Sequence, residues 1–530
     1  MKNIKNFMRL VAVVFAAFAM VACVDNKSQA SKDNMIPDNA IMAFKVDAAQ
    51  LWDKAVGEPG SQVALLWDMA KSGISMQASS MGETGELLRK VIEDPSSLGI
   101  RLDVPFVLSV SADVEELMYN NMSGDVYYVA LLDNKDAFVG FVDALLGYAD
   151  EEGVTVASKE DVNKNYTYYF LGADEEMSVD MGVSKGSVVL RCHFADLHDP
   201  LTMKESMLAL FENGGPAKTE GLKNFYASKG VAAIWADIDG IMTQLAPAME
   251  YDETAAANLK AYLPLYKGAS VVSALFLNDG ATELTLSAYG SDELKANAIK
   301  YNAISSGRFF NQMPNSSLLV LNVAIKDFVG LVDELSNMNE SYAETFAMLE
   351  TEFEINKELM AGFPGVISFA LDGRNLGETE TPGFSFFMEC EKNVWEYVQD
   401  LLMEGFEFVG NDTYAVGEYG YITYMDGAIV VADTQTFNGL EKTFADSPLA
   451  KQIEKGGMVI DLTVLSADAL DSLAESIDEY MTGSDLLQFA NSVVLTTSDD
   501  HMSATLTVNM GDKEHNILEK LLLESINNAF

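Results

Sequence analysis

The feature that most constrains this chain is that it matches itself. Pro37 of IPDNAIMAFKVDAAQL aligns with Pro314 of MPNSSLLVLNVAIKDF at an offset of 277, and Pro105 of PFVLS with Pro364 of PGVIS at 259. Val142, Leu145 and Leu146 align with Val398, Leu401 and Leu402 at 256, Lys185 of KGSVVL with Asp426 of DGAIVV at 241, and Ser270-Val271-Val272 with Ser492-Val493-Val494 at 222. The matches are collinear and the offset falls steadily, the pattern expected of an old duplication with deletions in its second copy. Each copy then needs its own core. With 49% hydrophobic residues, 12 Pro and 38 Gly in 530, the composition supplies cores and excludes disordered and collagen-like chains.

The repeated pieces read consistently as secondary structure. Ala40 to Val46 is an apolar, partly β-branched run, followed by Asp47 as a helix N-cap and then Leu51, Trp52 and Ala55 at helical spacing. Phe106 to Val110 and Val126 to Leu132 are strands, and Phe138, Phe141, Val142 and Leu145 mark an amphipathic helix. The resulting β-α-β-β-α block returns from Val231, with Asp239 as its helix cap, and again in the second copy, last from Met458 to the helix of Ile517, Leu521 and Leu522. Hairpin strands fill Thr167 to Phe194 and Thr413 to Ala432. The expected fold class is α+β: two similar domains, each with antiparallel sheets packed on one face against helices. The domain reading is 1–22 signal peptide, 23–35 lipidated cysteine and tether, 36–307 first repeat and 308–530 second repeat. The short apolar junction Ser305 to Gln312, with Phe309 and Phe310, predicts that the repeats pack together around a groove.

The N-terminus reads as an address. Lys2, Lys5 and Arg9 precede the apolar stretch Leu10 to Ala22, which is too short for a transmembrane helix and right for a signal-peptide core. It ends in Met20-Val21-Ala22-Cys23, which resembles a lipobox. Lipidation of Cys23 would give a lasting anchor, since two or three acyl chains hold firmly where one binds marginally. Val24 to Asn34 is a polar tether reaching about 36 Å when extended. By resemblance to lipoprotein sorting, Val24 after the cysteine implies the outer membrane. A formal charge of −46, without any basic run, excludes nucleic acid as a partner. The expected partners are the membrane, through Cys23, and an envelope protein or glycan.

The lipobox, the tether and the doubled opening at Pro37 and Pro314, proline followed by a polar turn, a strand and a helix, together resemble a Bacteroidota-type envelope lipoprotein family of unknown function. The resemblance implies a cell-envelope lipoprotein and no reaction, and it carries no catalytic residue.

Chemical motifs were weighed one by one. Gly182-Val183-Ser184-Lys185-Gly186 matches the G-x-S-x-G pattern, but the flanking runs read as two strands of a hairpin, whereas a nucleophile elbow needs a strand and then a helix. Cys192, His193, His198 and Asp199 form the one local cluster of ligand types; without a CxxC or HExxH pair they read as surface residues beside a strand end. Asp237-Ile238-Asp239-Gly240 fails the register of a calcium loop, and the acidic runs at 150–152 and 174–176 read as solvated surface. Trp52, Trp67, Met69, Phe309 and Phe310 read as core, with an apolar groove as the alternative. An oxidising compartment would permit a Cys192–Cys390 bridge, although buried thiols are the commoner reading. No phosphate loop or cofactor motif occurs, and the expectation is no cofactor and no metal.

These readings point to a membrane-anchored, non-catalytic envelope lipoprotein with a binding or structural role. The alternatives are a carrier or chaperone for lipids or apolar peptides and, more remotely, a serine hydrolase using Ser184.

Overall fold

The computed structural model describes residues 35–529 apart from 57–60, 79–84, 87–88, 92–93, 102, 113–122, 152–157, 174–176, 195–199, 214–218, 249–262, 339, 353, 364, 374–382, 404, 418–419, 434–439 and 479–488. Cys23 and the whole signal and tether lie outside the described residues, as do His198, Asp199 and the acidic run 174–176.

The chain divides into two compact units, residues 1–277 with 288–291 and 515–530, and residues 278–287 with 292–514. The strands of the first unit are β1 (Met42–Val46), β2 (Phe106–Ala112), β3 (Gly124–Leu131), β4 (Ser158–Asp161), β5 (Thr167–Ala173), β6 (Met177–Val183), β7 (Ser187–Phe194), β8 (Ala232–Asp237) and β9 (Ser270–Asn278). They lie in the order β4-β5-β6-β7-β3-β2-β1-β8-β9, with every neighbour antiparallel.

The second unit holds most of β10 (Ala281–Tyr289), then β11 (Asn302–Ala303), β12 (Ser317–Ile325), β13 (Gly365–Asp372), β14 (Phe384–Glu389), β15 (Glu407–Gly410), β16 (Thr413–Val416), β17 (Gly420–Met425), β18 (Ala428–Ala432), β19 (Gly457–Asp461), β20 (Ala490–Thr497) and β21 (Ser503–Met510). Its order is β15-β16-β17-β18-β14-β13-β12-β19-β20-β21-β10, again antiparallel, with β11 beside β12. Mixed helix and strand content around large antiparallel sheets is the expected α+β class.

Helices start where the sequence places caps. The Asp47 carboxylate accepts the Gln50 N–H at 2.9 Å, opening the helix Ala48–Val56, and Asp327 accepts Gly330 N–H at 2.8 Å before the helix Phe328–Met338. For the helix Ile238–Ala248 the cap is Asp237, which bonds the Gly240 backbone, and not Asp239, which sits inside the first turn and accepts from Gly268 N–H at 2.8 Å.

The first unit differs from expectation in how its sheet is covered. Side chains alternate across a strand, yet Ser187 to Arg191 on β7 are all buried, so both faces must be roofed. One face packs Tyr169, Met181, Val188 and Leu190 against Phe138, Phe141 and Val142 of the helix Lys135–Glu151. The other packs Val107, Tyr127, Val129, Tyr168 and Val189 with Met207 of the helix Pro200–Asn213 and Phe225 of the helix Glu220–Ala227.

The second unit buries Trp395 of the helix Lys392–Met403 with Tyr414 and Ile429 on one side. On the other, Phe309, Phe310, Met313 and Phe444, carried on or beside short 3₁₀ turns, cover Val320, Phe387, Val430 and Ala432. Phe309 and Phe310 are core residues here, as the bland reading of the sequence holds. Its β17–β18 hairpin turns through Asp426 and Gly427 at φ 54° and 76°, the left-handed pair that a two-residue hairpin loop requires.

Among the described residues, no helix is long and apolar enough to cross a membrane.

Candidate functional site

On β3, Asp125 and Tyr127 are two residues apart and share a face; on β7, Arg191 and His193 do the same. The β3–β7 register places Asp125 opposite His193 and Tyr127 opposite Arg191, and the β6–β7 register adds Asp180 opposite Arg191. Two antiparallel ladders thus gather five polar side chains that are widely separated in sequence. The Pro37 turn and the helix Pro200–Asn213 stand over them and complete a cleft of about 510 Å³.

Arg191 is the floor of this cleft. Its Nε and Nη2 donate to the two oxygens of Asp180 at 2.9 and 2.7 Å, Nη2 also donates to the Met203 carbonyl at 2.7 Å, and Nη1 donates to Ser206 Oγ at 2.7 Å. The two side chains are 4% and 0% exposed, and Tyr168 donates a further bond to Asp180 at 3.0 Å. Burial opposes both charges; it pushes the Asp180 carboxyl up, while for Arg191 the Asp180 bonds and charge overcome burial and raise the guanidinium above its ordinary value. The two parallel bonds are those of an ionised pair, which fixes the guanidinium in place and engages its Nε and Nη2 donors.

Above this floor the groups are partly open. His193 Nδ1 lies 2.8 Å from Asp125 Oδ1, with side-chain exposures of 26% and 17%. The Tyr127 hydroxyl donates to Asp125 Oδ2 at 3.1 Å, and its ring lies 6.0 Å from the Arg191 guanidinium. Burial works against ionising Asp125, but the His193 bond and the Arg191 charge outweigh it and hold its carboxyl below the usual range. Burial and the neighbouring Asp125 carboxylate push Tyr127 up to about 12, so it stays a neutral donor. The arrangement is a carboxylate fixed in orientation by two donors, able to accept hydrogen bonds from a ligand.

The sequence-level candidates fall elsewhere, with one exception. His193, read as a surface histidine, is instead half-buried and bonded to Asp125, because β3 lies beside its strand. Its neighbour Cys192 points to the opposite face, where burial raises the thiol to about 11, and Cys390 is buried and raised to about 11 in the same way. Both cysteines are free thiols. Ser184 occupies the β6–β7 hairpin turn, where its hydroxyl donates to the Ser187 carbonyl at 3.1 Å and accepts Ser187 N–H at 3.0 Å, the turn role anticipated from the flanking strands. Trp52 and Trp67 pack edge to face at 4.8 Å, whereas Met69 is 69% exposed. Asp125, Tyr127, Asp180 and Arg191 were missed by a motif search; their signal is a spacing of two within strands, legible only once the strands are paired. Among the described residues no group of three or more metal-ligating side chains is gathered.

The strands that hold the same places in the second unit's order are β14, β17 and β18; counted from the hairpin turns at Lys185-Gly186 and Asp426-Gly427, the rung of Arg191 falls at Ala432, opposite Ser385 on β14 and Tyr421 on β17. Phe387, Val430 and Ala432 belong to the core, and Phe309 stacks on Phe387 at 5.1 Å. Among the described residues the buried Arg191–Asp180 pair therefore has no charged counterpart at this place in the second unit, and Thr434, at the place of His193, lies outside the described residues.

Fold and site together define an α+β protein with antiparallel sheets and a polar cleft in its first unit. The chain belongs to the family described as domain of unknown function DUF4836, which matches residues 32–401 and so includes every residue of the cleft. No curated protein and no solved structure matches the chain.

Proposed function

We propose that this is a membrane-anchored cell-envelope lipoprotein with a non-catalytic binding role, moored through Cys23 at the outer membrane, whose binding site is the cleft over Asp125 and His193. The body is an internal duplication of two β-α-β-β-α pairs. The duplication is supported by the shared strand order, in which β4-β5-β6-β7-β3-β2-β1-β8-β9 and β15-β16-β17-β18-β14-β13-β12-β19-β20 follow one plan. The anchor rests on the basic, apolar and cysteine-terminated N-terminus.

One observation carries the binding role. The first unit keeps a buried Arg191–Asp180 pair, beside the open Asp125–His193 pair, where the second unit has the uncharged Ala432, Tyr421 and Ser385 on the rung of Arg191. Buried ion pairs are poor stabilisers compared with apolar packing, so a fold that manages without them in one copy has another use for them in the other. The polar wall favours a polar ligand over the lipid carrier, and Ser184 is engaged in its turn, which disfavours the hydrolase.

Two experiments test this. The full-length protein isolated from envelopes, heated to release small molecules and compared by mass spectrometry with Asp125→Asn, should carry a species that the variant lacks; identical inventories would remove the cleft as the binding site. For the anchor, Cys23→Ala should abolish incorporation of labelled fatty acid and free the protein from membranes, and retention there would contradict it.

A further inference from the structure

We propose, resting on the reading that this cleft binds a ligand, that the ligand presents an ammonium or guanidinium group on a short apolar shank, with the cation seated on Asp125. The lining decides the sign. Arg191 gives its Nε and Nη2 donors to Asp180, which leaves Asp125 within the cleft and Asp38 on its rim as the carboxylates in the lining. An ionised carboxylate accepts about four hydrogen bonds, and Asp125 receives one from His193 on Oδ1 and one from Tyr127 on Oδ2, so each oxygen retains acceptor capacity. An anion would meet both carboxylates and the field of a chain carrying a formal charge of −46, which raises the local concentration of cations instead.

The apolar lining sets the rest of the ligand. Ile36, Pro37, Met203 and Leu210 also line the cleft, and about 510 Å³ is within the range of small-molecule sites. An alkyl chain of a few carbons bearing a terminal cation fits the carboxylate and the apolar lining at once. The same chemistry is offered by a free amine and by an arginine or lysine side chain of a polypeptide.

Agmatine serves as the probe, titrated calorimetrically into the full chain, with pentanoate and glucose as anionic and neutral probes of similar reach. Agmatine should bind one to one, and Asp125→Asn should weaken it roughly 10- to 100-fold, the worth of a hydrogen bond to a charged group. Asp38→Asn, on the exposed rim, should weaken it by a smaller factor. Asp499→Asn, a surface carboxylate paired with Lys455 in the second unit, should leave it unchanged. A blocked tripeptide centred on arginine separates the sources: tighter binding than agmatine assigns the cation to a polypeptide, weaker binding to a free amine, and both support the class. Asp125-dependent binding of pentanoate or glucose in place of agmatine overturns the cation while leaving the cleft as a binding site. If no probe binds and the isolated protein carries no small molecule, the cleft reading falls as well.

Discussion

The strands β1 and β12, which hold the same place in the strand order of their units, bury Lys45 and Asn322 and satisfy them with different chemistry. Lys45, 3% exposed, donates from Nζ to the carbonyls of Phe225, Tyr226 and Ser228 at 2.7, 3.3 and 2.7 Å. Asn322, fully buried, donates from Nδ2 to the carbonyls of Ile453 and Glu454 at 2.8 and 3.1 Å and accepts the hydroxyls of Ser305 and Ser368. Both tie the central strand to the chain just before the next strand, β8 or β19. Both units keep that tie. The rung of Arg191 behaves in the opposite way: charged in the first unit and uncharged in the second, where Ala432 lies between Ser385 and Tyr421. Comparing the units separates what both share from what the first unit carries in addition.

The largest effect should come from breaking the Arg191–Asp180 pair on one side only. Arg191→Met leaves a buried carboxylate without its partner and should cost about 3–5 kcal/mol in denaturant unfolding, whereas Asp180→Leu together with Arg191→Met should return to within roughly 1 kcal/mol of the parent. A double variant as unstable as the single one would mean that the first unit depends on its ion pair and that the contrast with the second unit misleads.

Next in size are the two ties. Lys45→Met and Asn322→Leu should each lose about 1–3 kcal/mol, because carbonyls that were bonded are left buried without donors. The two also differ in pH dependence. Burial pulls Lys45 down to about 8 in the folded chain, against 10.5 unfolded, so between those values the unfolded chain binds the extra proton. The stability of the parent relative to Lys45→Met should thus be flat below about pH 8 and rise as the pH is taken toward 10.5. The Asn322→Leu difference should not change over that window, since an amide does not titrate. Parallel curves for the two variants would show that Lys45 is not desolvated as described.

The smallest effect lies at the outer strands. β4 (SKED) is charged and exposed, the usual protection of a free edge, while β15 (EFVG) exposes Phe408 and Val409, with Phe408 57% exposed although its ring packs on Tyr414 at 5.2 Å. Phe408→Lys should cost less than about 1 kcal/mol and lower any concentration-dependent association seen by light scattering; unchanged association would locate it elsewhere.

Much of the fold was legible in the sequence. Period-two runs gave β1, β2, β3 and the hairpins of β5 to β7 and β16 to β18, and the spacing of Phe138, Phe141 and Val142 gave their helix. Two things were not. The continuous burial along Ser187 to Arg191 looks the same for a strand in a sheet roofed on one face or on two, so the helix Pro200–Asn213 could not be placed over the sheet from pattern alone. The cleft was hidden because register, and not proximity in sequence, assembles it: Asp125 and His193 meet only through the β3–β7 ladder. Reading His193 with its sequence neighbour Cys192 joined two residues that face opposite sides of one strand.

The central claim is that the cleft serves binding and not folding. The most direct measurement rewrites the first unit with the second unit's residues, Asp125→Gly, Tyr127→Ser, Asp180→Tyr, Arg191→Ala and His193→Thr, and follows unfolding and agmatine titration on the same sample. The account predicts a cooperatively folded protein that no longer binds agmatine. Binding retained at the parent's strength would contradict it, and so would a chain that cannot fold without the polar rungs.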